Sequence, residues 1–168
     1  QGYSSAASDV YKRQVPELTL DFRRQSKLPK HWPSFFPILR EYDFCVWIDG
    51  DMAILSRSFT EEILQFMGDS SMVLSPHFDT RHCAYGEATI RPPKYAKEPL
   101  DAQVKYYRED GFPENFGLYE TGCMAWRMGD REAEEFGKFW YLQNLLFSYQ
   151  DQVSVSYALW KTGFKPSV

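Results

Sequence analysis

The sequence predicts an α/β domain in which β-strands alternate with helices. Short apolar runs rich in β-branched and aromatic residues, such as 44–48 and 71–75, have the composition of strands. Apolar residues recur at helical spacing in other segments, most clearly in 59–67 and 131–147. The alternation of these two patterns favours helices packed in layers on a sheet.

The predicted elements follow one another with few gaps. In chain order they are a strand at 18–22, a basic loop at 23–31, a proline-broken segment at 32–39, a strand at 44–48, a helix at 59–67, a strand at 71–75, a polar loop at 76–87, a helix at 101–109, a strand in the second half of 117–127, and helices at 131–147 and 151–161. Gly68 directly follows the helix at 59–67, and Gly163 lies two residues after the helix at 151–161, which is where a C-terminal glycine is expected.

Composition limits the range of functions. The chain has 168 residues and a net charge of −4, without a basic block, so we expect neither nucleic acid nor an anionic membrane surface as a partner. No apolar run approaches the ~20 residues of a membrane span. The three cysteines are odd in number and widely spaced, so they form no complete disulfide framework, and they favour a reducing compartment.

The two ends of the chain lead us to expect a fragment. Residues 1–14 show no periodicity and resemble translated adaptor sequence, so we treat them as a non-native leader. The last four residues form no recognisable terminal element. We therefore predict one partial domain over 15–168.

Two aspartates separated by one glycine, Asp49 and Asp51, directly follow the strand at 44–48 and are the main candidate for a site. Unpaired carboxylates are costly to bury, so they must face water, a cation or a ligand. Ligands bind outside the carboxyl ends of strands in open α/β sheets. Two such carboxylates suit Mg²⁺ or Mn²⁺ held together with phosphate oxygens. The spacing alone leaves open a solvated turn in which Asp49 caps local backbone.

Other polar residues are candidates with structural alternatives of similar weight. Arg24 and Lys27 could meet a diphosphate or could be ordinary surface charge. Glu120 could reach a cleft or lie at an exposed edge. Asp151 falls in the first turn of a predicted helix, where the helix dipole favours a carboxylate without any catalytic role. The three histidines do not have the spacing of a zinc site, so we expect them to act as hydrogen-bonding residues.

An ordered set of motifs over roughly 23–163 resembles the glycosyltransferase A superfamily and, more closely, the TOD/MUCI-type family of plants and bacteria. The matching residues are Arg24 and Lys27-Leu28-Pro29; Tyr42-Asp43 with Trp47-Ile48-Asp49-Gly50; His77, Arg81, Cys83, Tyr85 and Glu87; Gly117-Leu118-Tyr119-Glu120-Thr121; and Asp151-Gln152-Val153-Ser154 with Tyr157 and Leu159-Trp160-Lys161.

The resemblance implies a glycosyltransferase A-like (Rossmann-like) mixed sheet flanked by helices, and an enzyme that moves a sugar from a nucleotide-sugar donor to a glycan or polysaccharide acceptor. It implies Mn²⁺ or Mg²⁺ at Asp49 and Asp51. It also implies roles for single residues. Asp151 and Glu120 would be catalytic, and the substrate-binding residues would be Arg24, Lys27, Asp49, Arg81, Glu87 and Gln152. It implies a cytoplasmic location for a bacterial protein and the Golgi lumen for a plant protein.

The sequence departs from the superfamily pattern in two places. The superfamily's first nucleotide-binding βαβ unit should precede Arg23, but here it is absent or replaced by the leader at 1–14. A third metal ligand, commonly a C-terminal histidine, is also missing within these residues. We therefore expect this fragment to be inactive by itself. Two other functions stay open: an aspartate-nucleophile phosphatase of the haloacid dehalogenase type, which also places Asp-x-Asp after an apolar strand, and a non-catalytic carbohydrate-binding domain.

Overall fold

The structure is a computed structural model, and it describes residues 21–78, 82–90 and 92–168. The predictions for the leader at 1–14, for most of the strand at 18–22 and for Arg81 lie outside these residues. The helices are α1 (Phe22–Gln25), α2 (Leu28–His31), α3 (Phe59–Met67), α4 (Ala84–Glu87), α5 (Leu100–Glu109), α6 (Arg131–Leu146) and α7 (Asp151–Thr162), and the strands are β1 (Phe44–Ile48), β2 (Met72–Pro76) and β3 (Tyr119–Arg127). Three 3₁₀ turns lie at Pro33–Phe35, Pro37–Glu41 and Pro93–Tyr95.

The three strands form one sheet in the order β1-β3-β2, with β3 antiparallel to both neighbours. Phe44 pairs with Arg127 at one end of β1, and Ile48 pairs with Cys123 at the other. One isolated parallel bridge joins Val73 to Ser167. The α/β class is confirmed, but the pairing among these strands is antiparallel and not that of the expected mixed sheet.

Both faces of the sheet are covered by helices. Alternate residues of β3 point to opposite sides, so each face packs against a different layer. Met124 and Trp126 pack with Phe136 of α6 and Val155 of α7 in the largest apolar cluster. Ala125 lies on the other face, in a cluster with residues of β2 and α3. The helices α6 and α7 therefore form one layer and α3 forms the other.

A second apolar cluster fixes the start of α7. Val153 and Tyr157 of α7 pack with residues of α4 and α5. The rings of Tyr107 and Tyr157 are stacked, with their centroids 3.7 Å apart. Because α7 is buried against the sheet on one side and against this cluster on the other, the position of its first residue, Asp151, is well determined.

Most predicted elements are confirmed to within a residue or two, and the exceptions have physical explanations. The segment 23–31 was predicted as a loop, but it contains most of α1 and all of α2. The loop prediction relied on Pro29, which occupies the first turn of α2, where its missing N–H has no intrahelical partner in any case. Phe22 begins α1 and does not end a strand. The predicted polar loop at 76–87 ends in the single turn of α4.

The contact between α2 and α6 depends on a glycine. A Cβ atom on Gly137 would lie 2.4 Å from the backbone oxygen of His31 and 3.3 Å from the ring of Trp126. Neither neighbour is the flexible end of a side chain, so a substitution there must separate the two helices. Gly137 thus permits the close approach that places α2, with Lys30 and His31, beside the first turn of α7.

We predict that Gly137→Ala lowers the free energy of unfolding by about 1–3 kcal/mol, because overpacking a close contact outweighs alanine's advantage of roughly 1 kcal/mol inside a helix. Urea denaturation measures this change. Gly86→Ala, in α4, is the control, since a Cβ there meets no atom within 4 Å. Equal stability of Gly137→Ala and the wild type would show that the contact with His31 is not restrictive.

Candidate functional site

A polar cleft of about 350 Å³ lies where β1 ends. Because β1 and β3 are antiparallel, the end of β1 lies beside the beginning of β3, and the Asp49 N–H donates to the Gly122 carbonyl oxygen at 2.7 Å. The first turn of α7 closes the cleft from another side. The residues that line it are Lys27, Asp49, Asp51, Met52, Lys94, Tyr95, Glu120, Thr121, Gly122, Asp151 and Gln152.

Two neighbours fix the Asp49 carboxylate. The indole Nε1 of Trp47 donates to Oδ1 at 2.6 Å. The Lys30 ammonium lies 3.0 Å from Oδ1 and 3.3 Å from Oδ2. The absence of a side chain on Gly122 keeps this space open, because a Cβ there would lie 2.9 Å from the Met52 sulfur and 3.6 Å from Asp49 Oδ2. The Asp49 side chain remains 37% exposed, so it faces the cleft as an ion-paired carboxylate.

Asp151 is a buried carboxylate with three donors. Its Oδ2 lies 2.6 Å from Lys27 Nζ and 2.8 Å from Lys30 Nζ, and its Oδ1 lies 2.9 Å from His31 Nε2. Burial alone would raise the pKa of Asp151, but His31 and the two lysine charges outweigh burial and hold that pKa well below its usual range. Asp151 is therefore a permanently charged group and a weak proton acceptor.

His31 is the neutral member of this cluster. Its ring is fully buried and stacks on Trp140 with centroids 3.8 Å apart. Burial lowers the pKa of His31 to about 4, although Asp151 acts in the opposite direction. A neutral imidazole beside a carboxylate must carry its proton on Nε2 in order to donate to Asp151. This tautomer agrees with the absence, among the described residues, of a hydrogen-bond partner for Nδ1.

Glu120 and Asp51 are the cleft carboxylates without a lysine partner in the described part of the chain. His77 Nε2 lies 2.9 Å from Glu120 Oε1, and the Gln152 amide donates to Oε2 at 2.9 Å. Asp51 is exposed, and no hydrogen bond or ion pair to it is found within 21–78, 82–90 and 92–168. On the same cleft, burial raises the pKa of Tyr95, so its phenol stays protonated.

The structure brings six of the predicted site residues to this cleft and places two elsewhere. Asp49, Asp51, Glu120, Asp151, Gln152 and Lys27 line it. Arg24 does not, because its guanidinium is bound to the carboxylates of Asp21 and Glu98 and to backbone oxygens at the end of α6. Glu87 is buried in α4, where its Oε1 accepts from the Gln150 amide at 2.9 Å. Arg81 lies outside the described residues.

Sequence reasoning missed Lys30, Trp47 and Lys94, and it gave His31 no place in the site. A signal was available for Lys30 and His31, which lie three and four residues after Lys27, the spacing of one face of a helical turn. Pro29 obscures that signal, because a proline within a basic stretch is typical of a loop. For Trp47, alternation along β1 places its side chain on the same face as that of Asp49.

The residues at the cleft fit a divalent cation that shares its coordination with a ligand. Carboxylate oxygens are the donors that Mg²⁺ and Mn²⁺ prefer, and Mg²⁺ is commonly held by one or two carboxylates with substrate phosphates. No group of three or more His, Cys, Asp or Glu side chains is arranged to hold a metal ion in the part of the chain that the structure describes. The protein oxygens available to a cation are thus few, with Asp51 the most accessible.

The fold and cleft define an α/β domain with a polar cleft at the end of β1, which lies beside the central strand β3. The chain matches the family described as TOD1/MUCI70, glycosyltransferase-like domain, over residues 14–168. It therefore belongs to that family, and membership supports glycosyltransferase activity with sugar donor and acceptor substrates. No match was found among curated proteins or among solved structures. Within the described residues, no helix is long and apolar enough to cross a membrane.

We predict that acid destabilises the domain through His31. The native pKa of about 4 lies below the ordinary 6.5, so the contribution of the neutral ring is complete above about pH 6.5 and is lost as the pH falls towards 4. The loss is about 3 kcal/mol, from a shift of roughly two and a half units at ~1.4 kcal/mol each. Urea titrations across pH 4–7 measure it.

His31→Gln keeps a donor for Asp151 and removes the titration, so its free energy of unfolding should change less over this pH range than that of the wild type. His82→Gln, at an exposed position, is the control and should follow the wild type. The assignment fails if the wild type and His31→Gln show the same pH dependence.

Proposed function

We propose that this domain transfers a sugar from a nucleotide-sugar donor to a glycan or polysaccharide acceptor, with Mn²⁺ or Mg²⁺ bound at Asp49-Gly50-Asp51. One observation carries the proposal: five separate segments of a glycosyltransferase-like chain place carboxylates and lysines around a single cleft. An open, charged cleft suits a ligand that carries a diphosphate and sugar hydroxyls.

The charged residues of the cleft support binding of a diphosphate. Lys27 and Lys94 line it and supply positive charge for phosphate oxygens. Asp51, and Asp49 to a lesser extent, would hold the divalent cation. When bound, that cation would neutralise the charge that develops on the departing nucleoside diphosphate.

The two residues predicted to be catalytic have different environments, and we propose different roles for them. Glu120 faces the cleft and is oriented by His77 and by the Gln152 amide, so it can accept hydrogen bonds from sugar hydroxyls. Asp151 is 6% exposed and already accepts from three donors. We propose that it acts as a fixed negative charge beside the reacting sugar and positions Lys27.

We predict that Asp51→Asn weakens Mn²⁺-dependent binding of UDP by tenfold or more, a loss of about 1.4 kcal/mol. The reason is that an amide oxygen lacks the charge that a divalent cation requires of its few protein ligands. Isothermal titration calorimetry of the full-length protein with UDP and excess Mn²⁺ measures the change. Asp69→Asn, an exposed aspartate beyond the end of α3, is the matched control and should bind as the wild type does.

Three results would contradict the proposal. If UDP bound equally tightly in EDTA, the assignment of a metal ion to this site would be wrong. Hydrolysis of a generic phosphomonoester that is lost in Asp49→Asn would favour the phosphatase, and sugar binding that survives substitution of both aspartates would favour a carbohydrate-binding domain.

A further inference from the structure

Lys30 occupies an unusual position for a lysine. Its side chain is 2% exposed, whereas lysine is almost never fully buried unless it is paired. Its ammonium group lies 3.0 Å from Asp49 Oδ1 and 2.8 Å from Asp151 Oδ2. One cation therefore joins the aspartate after β1 to the aspartate that begins α7, and the Trp47 ring borders it, with its centroid 5.8 Å away.

The charges around Lys30 balance locally. Lys27 and Lys30 face Asp49 and Asp151, while the neutral His31 adds a hydrogen bond and no charge. A divalent cation that approaches Asp49 would meet an ammonium already bound to both carboxylate oxygens. The ammonium has little room to withdraw, because it is buried and also held by Asp151. It would therefore compete with the cation for Asp49 and repel it.

A diphosphate changes this balance. It brings several negative charges and its own oxygen ligands, so it offsets the repulsion from Lys30 and reduces the number of ligands that the protein must supply. We propose that Lys30 is a positioning residue: its ammonium holds Asp49 and Asp151 together and lowers the affinity of Asp49 for a divalent cation until a diphosphate is bound. This inference rests on the proposed function, and it gives Lys30 a role in controlling metal binding.

The test measures Mn²⁺ binding without any requirement for catalysis. Free Mn²⁺ is measured by electron paramagnetic resonance as the full-length protein is titrated, with and without UDP. We expect the wild type to bind Mn²⁺ weakly alone and more tightly with UDP. Lys30→Met should bind Mn²⁺ alone roughly tenfold more tightly than the wild type, since one nearby charge near a protein surface has an effect of this order. The increase in its Mn²⁺ affinity when UDP is added should be correspondingly smaller than that of the wild type.

Two variants serve as controls. Lys30→Arg retains the positive charge and should resemble the wild type. Lys105→Met removes the same charge from an exposed site on α5, so it should also resemble the wild type and excludes an effect of net charge.

The failure of this inference differs from the failure of the proposed function. If the wild type binds Mn²⁺ only with UDP but Lys30→Met binds Mn²⁺ alone no more tightly, the role of Lys30 is refuted and the function stands. If the wild type takes up no Mn²⁺ even with UDP, both are refuted.

A second variant and a measurement on the wild type cover the case in which Lys30→Met does not fold. Lys30→Gln removes the charge and keeps a donor, so the same titration applies to it. In the ¹⁵N-labelled wild type, the Lys30 ammonium resonance should shift when Mg²⁺ and UDP are added together and not with Mg²⁺ alone. An ammonium resonance that shifts fully with Mg²⁺ alone, or that does not respond to both together, would overturn the proposal.

Discussion

The buried carboxylate of Asp151 is the group on which the rest of the site depends. Three side chains from one short segment, Lys27, Lys30 and His31, meet it at distances of 2.6 to 2.9 Å. Lys30 continues the chain of contacts to Asp49 at the end of β1. A buried charge of this kind is tolerated only when it is paired, and removal of one partner is strongly destabilising. The cluster therefore ties α2, β1 and α7 together.

The packing beneath this cluster explains why so short a segment can supply it. The helix α2 has only four residues, too few to be stable alone. It is held because Gly137 allows the His31 backbone to approach α6 closely and because Trp140 stacks on the His31 ring. A glycine and a tryptophan three residues apart on one helix thus give the histidine its position, and the histidine in turn orients the carboxylate.

The sequence predicted the regular elements well and the site in part. Strand and helix bounds follow from local periodicity, so β1, α3, α6 and α7 could be located without tertiary information. The antiparallel pairing of β1 with β3 could not be predicted, because strand order and direction depend on contacts between residues about 80 positions apart. That pairing is what places Glu120 and Gly122 beside Asp49. The aspartates themselves were found because carboxylates after an apolar strand are conspicuous in sequence, whereas a buried lysine is not.

The local charge balance connects the structural cluster with the proposed chemistry. Asp49 and Asp151 are neutralised by Lys27 and Lys30, so these four residues can be buried or half-buried without a net charge. Asp51 and Glu120 face the same cleft without a lysine partner among the described residues, while Lys94 lines it with an ammonium of its own. The cleft therefore carries both signs of charge around open solvent. Such a surface is suited to a ligand that itself combines phosphates, hydroxyls and a cation, and a purely anionic or purely cationic ligand would leave one set of these groups unpaired.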